Sequence, residues 1–185
     1  MRIFLETDRL LMRRFDKSDV DNLVALDGDP SVMRYITGGR ATPRTEIEND
    51  YLPAFLSYYH RFPGYGFWAA TAKSGEDFLG WFHLRPKPGD PRDQPELGYR
   101  LRQAAWGRGY ATEGSRALIH KAFTDLGANR VYAETMAVNT ASRRVMEKSG
   151  LRYVRTFHLD WPDPVPGVEH GEVEYALGRA EYRSG

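Results

Sequence analysis

Trp106-Gly107-Arg108-Gly109-Tyr110-Ala111-Thr112-Glu113-Gly114 sets two glycines around an arginine, immediately ahead of an amphipathic run. Glycine lets a backbone turn tightly, and its missing side chain lets a large anion come close to the main chain. Successive N–H groups at the start of a helix, at the positive end of its dipole, make a concavity suited to phosphate. The same two glycines would also serve a plain strand-to-helix turn, and spacing does not separate the two readings. It does remove three others. A dinucleotide fingerprint and an NTPase phosphate loop each need a glycine where Thr112 stands, and no serine has the G-x-S-x-G setting of a nucleophile elbow. The histidines (60, 83, 120, 158 and 170) form no HExxH and no close pair, so no metal is expected.

A phosphate turn needs a scaffold. The 185 residues suit one domain with its own core, and 41% of them are hydrophobic, which makes the chain globular. Lys and Arg number 26 against 25 Asp and Glu, a net charge of +1 that gives no global steering toward nucleic acid or membrane. The absence of cysteine excludes disulfides, thiol nucleophiles and Cys-based metal sites. "MRIFLETDRLLMRRF" mixes charges among its apolar residues, unlike a signal peptide, and no run of 18 apolar residues occurs. A cytoplasmic location is the default expectation.

Periodicity predicts the elements. "RLLMRRF" (9–15) reads as the first strand, followed by helices at "DKSDVDNLVAL" and "DPSVMRYI", the second capped by Asp29 with Pro30 in its first turn. Residues 42–62 have helical apolar spacing that Pro53 should kink or split. The period then changes. Residues 66–74, 78–86 and 96–101 read as a three-stranded meander. Residues 110–127 are the clearest helix, 130–137 a strand, and 139–150 a helix capped by Asn139. In 151–161, Leu151, Tyr153, Phe157, Leu159 and Trp161 fall on one side of a strand, and 171–177 is the last strand. This order gives an α+β, or mixed α/β, domain around one central sheet.

"ELGYRLRQAAWGRGYATEGSRALIHKAF", followed by "NTASRRVMEKSGLRYV", resembles the GNAT superfamily of acyl-CoA-dependent N-acetyltransferases, and within it the ribosomal-protein-alanine N-acetyltransferases and their relatives. "ETDRLLMRRFDKSDVDNLVALDGDPSVMRYI" resembles the amino-terminal part of that branch, so the similarity runs from about Thr7 to about Arg179. The resemblance implies a single N-acetyltransferase domain with a twisted, mostly antiparallel sheet flanked by helices. It implies that Trp106, Gly107, Arg108, Gly109, Tyr110, Ala111 and Thr112 hold the pyrophosphate of acetyl-CoA. Trp106 departs from the family's Gln or Arg. Tyr99 and Leu101 would offer backbone to the pantetheine arm. Asn139 and Ser142 match an N-x-x-S motif beside the arm and thioester; both are also plausible helix caps. Arg102, Arg108, Arg143, Arg144 and Lys148 are candidates for the CoA phosphates, or a solvated helix face. Met146 stands where many relatives carry a tyrosine that reprotonates the thiolate, which leaves Ser142 or water for that role.

The implied reaction is direct attack of an amine on the thioester, with a backbone N–H stabilising the oxyanion. The amine must first lose a proton. Glu96 is the leading candidate base and Glu134 the next; Glu172, Glu174, His170 and His83 are also on offer, His83 being as well a core histidine flanked by Phe82 and Leu84. Glu113, in a first helical turn, reads as a dipole-compensating acid. The acceptor is expected over the first helices and the loop after Trp161, with Gly38-Gly39 as a lip. Tyr58, Tyr59, Tyr65 and Trp68 are either an aromatic wall for a peptide or cation, or core. The amine is a protein N-terminus or a small molecule. Neither nucleic acid nor membrane is expected as a partner, and homodimers are frequent in the branch resembled. A catalytically silent acyl-CoA-binding module, or a nucleotide binder using the same turn, are the alternatives.

Overall fold

The computed structural model describes residues 3–75 and 77–182. Within them, one eight-stranded sheet runs in the order β1-β2-β3-β4-β5-β6-β8-β7. The strands are β1 (Ile3–Glu6), β2 (Leu10–Arg14), β3 (Gly66–Ala72), β4 (Phe78–Arg85), β5 (Glu96–Leu101), β6 (Arg130–Met136), β7 (Arg152–Phe157) and β8 (Glu172–Gly178). All neighbours are antiparallel except β5 and β6, which are parallel and share a single register pair, Glu96 with Tyr132. Beyond that pair the two strands part, so the sheet is open between them at its middle.

Helices cover both faces. On one lie α1 (Val20–Asp27), α2 (Pro30–Thr37) and α3 (Leu52–Arg61); Leu23, Leu26 and Phe55 bury there against Phe67, Ala69 and Trp81. On the other lie α4 (Tyr110–Thr124) and α5 (Thr140–Lys148), whose Leu118, Ile119 and Met146 pack on Phe82, Leu84, Val131 and Val173. Strand alternation sorts the side chains accordingly. Trp81, His83 and Arg85, with Glu96, Gly98 and Arg100, point to the α1–α3 face, while Leu97, Tyr99 and Leu101 point to the α4–α5 face. Gly114 seats α4: a Cβ there would lie 2.4 Å from Phe82 Cζ, so only glycine lets the helix press this close to β4.

Three local expectations are corrected. The first strand is Ile3–Glu6, not 9–15, which is the second. Pro53 does not split its helix. A wide π-turn at Ile47–Tyr51 leads directly into α3, with Leu52 N–H bonded to Ile47 O, so the changed register takes up the proline next to it. The alternation over 151–161 also breaks. A bulge between Tyr153 and Arg155 sets Tyr153 opposite Tyr175 but Phe157 opposite Glu172, on the other face, and the strand stops at Phe157.

Candidate active site

The parting of β5 and β6 creates a cavity of about 700 Å³ that passes through the sheet and is lined from both faces. Tyr132 N–H bonds Pro95 O at 3.2 Å, and Arg102 N–H bonds Leu79 O at 2.8 Å. Even-numbered residues of β5 therefore bond β4, and the main-chain groups of Tyr99 and Leu101 turn into the gap. They line the cavity, as do Trp106, Gly107, Gly109, Tyr110, Ala111, Thr112, Asn139 and Ser142. Arg108 does not; its carbonyl accepts from Arg9 Nη1 at 2.9 Å.

The glycine turn has the form an anion needs. Gly107 and Gly109 have φ of 70° and 82°, the left-handed region that suits glycine, and a Cβ on Gly107 would meet nothing within 4 Å. The first helical bond of α4 runs from Glu113 N–H to Gly109 O at 3.0 Å, which leaves the preceding N–H groups at the helix start uncommitted. Trp106 Nε1 donates to Leu101 O at 2.9 Å and ties the turn to the end of β5. Glu113 accepts from the Thr7 hydroxyl at 2.6 Å and from Arg9 N–H at 3.0 Å, so this acid buttresses the turn from β1–β2. Of the basic candidates, Arg144 and Lys148 line the cavity, whereas Arg143 is spent on Tyr175 Oη at 3.1 Å and Ala137 O at 3.1 Å.

Asn139 caps α5, its Oδ1 accepting from Ser142 N–H at 3.2 Å. The Ser142 hydroxyl in turn accepts from Tyr99 Oη at 3.2 Å. Burial pushes the Tyr99 phenol up to about 12. Tyr99 and Ser142 thus form a hydroxyl pair on the α4–α5 side of the opening.

The acids lie on the other side, and the fold separates them by their partners. Glu96 lies 3.2 Å from Arg85, 3.1 Å from Lys87 and 3.4 Å from His83 Nε2. Burial alone would raise its carboxyl, but His83, Lys87 and Arg85 together outweigh burial and hold it at about 2. Burial pushes the His83 imidazole below its ordinary value, against the pull of Glu96. Glu134 shares Lys87 at 2.5 Å. Glu174 is paired with Arg130 and, at 2.7 Å, with Arg155. Glu172 differs from all of them. It is 5% exposed, lines the cavity, and among the described residues is paired with no cation. Its Oε1 accepts from Trp161 Nε1 at 3.3 Å. Burial raises its carboxyl, and the charge of Glu134 adds to the rise. The walls on this side include Ser31, Val32, Tyr35 and Ile36 of α2, with Trp81 and Trp161. An ion pair between Arg40 and Asp163, and Val165 packed against Gly38, join the loop after α2 to the loop before β8. Of the two readings of Tyr58, Tyr59, Tyr65 and Trp68, wall or core, packing favours core: Tyr59 bonds Phe67 O, Trp68 stacks on Phe4 at 3.9 Å, and none of the four lines the cavity.

Residues 9–152 match the family model of the acetyltransferase (GNAT) domain. The chain belongs to the GNAT acetyltransferase family. It is an acyltransferase, and its open, mostly antiparallel sheet is the GNAT acyltransferase fold. The FsC-acetyl coenzyme A-N(2)-transacetylase of Aspergillus fumigatus is 38% identical over 185 residues, covering 96% of this chain and 77% of that protein. A GNAT acetyltransferase from Bacillus anthracis superposes with a TM-score of 0.79 at 23% identity, over 98% of this chain and 100% of that one. RimL, a ribosomal L7/L12 alpha-N-protein acetyltransferase solved with coenzyme A, superposes with a TM-score of 0.78 at 17% identity, over 96% and 98% of the two chains. Among the described residues no helix is long and apolar enough to cross a membrane.

Proposed function

We propose that this GNAT protein transfers the acetyl group of acetyl-CoA to a primary amine, with Glu172 as the base that frees the amine. The observation that carries this reading is a single cavity running from the N–H cradle at Gly107–Thr112, through the parted strands, to a buried carboxylate that makes no salt bridge among the described residues. The cradle and the edge of β5 fit a pyrophosphate and an extended arm. The Aspergillus relative's name describes transfer from acetyl coenzyme A to a nitrogen, the same chemistry.

The roles follow from the environments. A carboxyl held at about 2 is a weak base, so Glu96, although it lines the cavity, is better suited to fixing the strands. Lys87 bridges Glu96 and Glu134 across the point where β5 and β6 part, and so clamps the apex of the opening. Glu172, raised by burial, is closer to the proton affinity a base needs. It takes a proton from the ammonium directly or through one water. The amine lone pair then attacks the thioester carbon, and the Tyr99 N–H, turned into the gap, stabilises the oxyanion. The carbon–sulfur bond breaks. The nitrogen gives up its second proton to solvent, the thiolate takes a proton from Ser142 as Tyr99 passes its own to Ser142, and solvent then takes the proton held by Glu172 and reprotonates Tyr99.

Thermal unfolding with acetyl-CoA tests the donor. At ~100 times the dissociation constant, binding stabilises by about 2.7 kcal/mol, which is a midpoint rise of roughly 5–10 °C in a domain of this size. The rise is expected with acetyl-CoA and not with NAD or ATP, and thiol release on adding amines is expected to follow. Stabilisation without thiol release from any amine would return the protein to a silent acyl-CoA-binding module.

A further inference from the structure

Resting on the N-acetyltransferase reading, we infer that Arg100 selects the acceptor by binding a neutral carbonyl oxygen next to the reacting amine.

Register places Arg100 opposite the base. Glu96 on β5 is level with Tyr132 on β6. Four residues further along parallel strands, Arg100 is level with Met136, and Met136 is paired with Glu172 on β8. Arg100 and Glu172 therefore flank the open part of the wedge at one height, both on the α1–α3 face, and both line the cavity. Two strand spacings and the opening itself separate their backbones by at least about 10 Å.

Arg100 is built to stay where it is. Its Nη1 donates to Asp27 Oδ1 at 2.6 Å, and Asp27 is fixed in turn by the Thr42 hydroxyl at 3.0 Å. Its guanidinium lies over the Trp81 ring, 5.1 Å from the centroid. Gly98, next on the same face of β5, leaves the space that His83 fills; a Cβ there would lie 2.6 Å from the imidazole. One nitrogen is thus committed to Asp27, the buried Nε has no partner, and Nη2 donates to nothing among the described residues. A guanidinium presents its donors as a rigid fork, so fixing one edge aims the other.

Charge decides what that free donor takes. Asp27 already balances Arg100, and Glu96 and Glu134 are balanced by Arg85 and Lys87. Glu172 is the uncompensated charge of this chamber, and it matches one ammonium. A free carboxylate on the acceptor would add a second negative charge beside it. A carbonyl oxygen adds none and still accepts from Nη2. The favoured acceptor is therefore a 2-amino acyl compound with its carboxyl tied up as an amide or ester, rather than a plain alkylamine or a free amino acid.

Three probes separate these classes: leucinamide, leucine, and 3-methylbutan-1-amine, which is leucinamide without its carboxamide. Thiol release from acetyl-CoA by the wild-type enzyme is expected to give leucinamide a kcat/KM at least tenfold above each of the others. In Arg100→Lys, which keeps a cation for Asp27 but loses the second donor, that ratio is expected to fall toward one, chiefly through KM. Equal kcat/KM for leucinamide and 3-methylbutan-1-amine in the wild type overturns the inference and leaves N-acetyl transfer standing. A preference for leucine overturns the neutral-oxygen choice. An unchanged leucinamide ratio in Arg100→Lys removes Arg100 from the role. No thiol release from any probe, in a protein that acetyl-CoA stabilises, overturns the substrate class as well.

Discussion

Glu172→Gln separates catalysis from folding more cleanly than any other change at this site. Glutamine keeps the volume of glutamate and keeps an oxygen for Trp161 Nε1, which now donates at 3.3 Å, so the loop before β8 retains its anchor. What is lost is the proton acceptor. General-base catalysis contributes ~10²–10⁴-fold, or about 3–5 kcal/mol of barrier, so kcat at pH 7 should fall by that factor. The groups facing the carboxylate are Glu134 on β6, His158 after β7 and Trp161, and Glu134 adds to the rise that burial imposes. A carboxyl raised in the folded state contributes stability that is complete below its unfolded value and is lost as pH rises through its folded one. At neutral pH the wild type therefore carries a buried charge that the variant lacks. The midpoint of Glu172→Gln should equal or exceed that of the wild type at pH 7, and the difference should vanish at low pH. The activity deficit should also shrink as pH rises toward the amine's own pKa, where free amine no longer needs a base. Steady-state kinetics from pH 6 to 10, with thermal melts at the same pH values, make the test. A kcat at pH 7 within threefold of wild type would refute Glu172 as the base.

Gly109→Trp should abolish acetyl-CoA binding while leaving the domain folded. The left-handed backbone at φ 82° costs a non-glycine residue about 1–2 kcal/mol, and a Cβ would lie 3.3 Å from Arg9 Nη2, the movable end of a long side chain. Calorimetric titration with acetyl-CoA decides it, and unchanged affinity would sink the phosphate turn. Glu96→Gln should act mainly on stability. A carboxyl held at about 2 against an ordinary 4.5 contributes about 3 kcal/mol above pH 4.5, lost as pH falls toward 2. Removing it should lower the neutral-pH midpoint by roughly 6–12 °C, with the gap closing in acid. A stable Glu96→Gln variant with kcat reduced a hundredfold would restore Glu96 as the base.

The parts of this molecule that local rules govern were legible in its sequence, whereas the acid proposed as the base was one of six candidates that the sequence did not separate. Gly107 and Gly109 adopt the left-handed backbone that glycine favours, Asp29 and Asn139 cap because their side chains reach the next N–H groups, and the strands Gly66–Ala72 and Phe78–Arg85 are apolar along their length because both faces are buried. Pro53, expected to kink or split its helix, stands directly after a register change at Ile47–Tyr51 and leaves the helix unbroken. The apparent alternation through 151–161 failed because a bulged edge strand is barely buried, so nothing holds its apolar residues to one face. Glu172 and Glu174 show the limit most plainly. They sit two apart on one strand with their side chains on one face, equal in every sequence property. Arg130 and Arg155 reach Glu174 from β6 and β7, whereas Glu172, also flanked by β6 and β7, is level with Met136 and Phe157, accepts a hydrogen bond from Trp161 and lines the cavity. The difference between a structural carboxylate and a reactive one is the partner that the fold withholds. The same argument explains Glu96, which sits where a base was expected but lies at the closed end of the wedge, where Lys87 reaches both walls. In this fold a carboxylate's chemistry is set by which side of the strand parting it occupies, and no spacing in the sequence records where β5 and β6 separate.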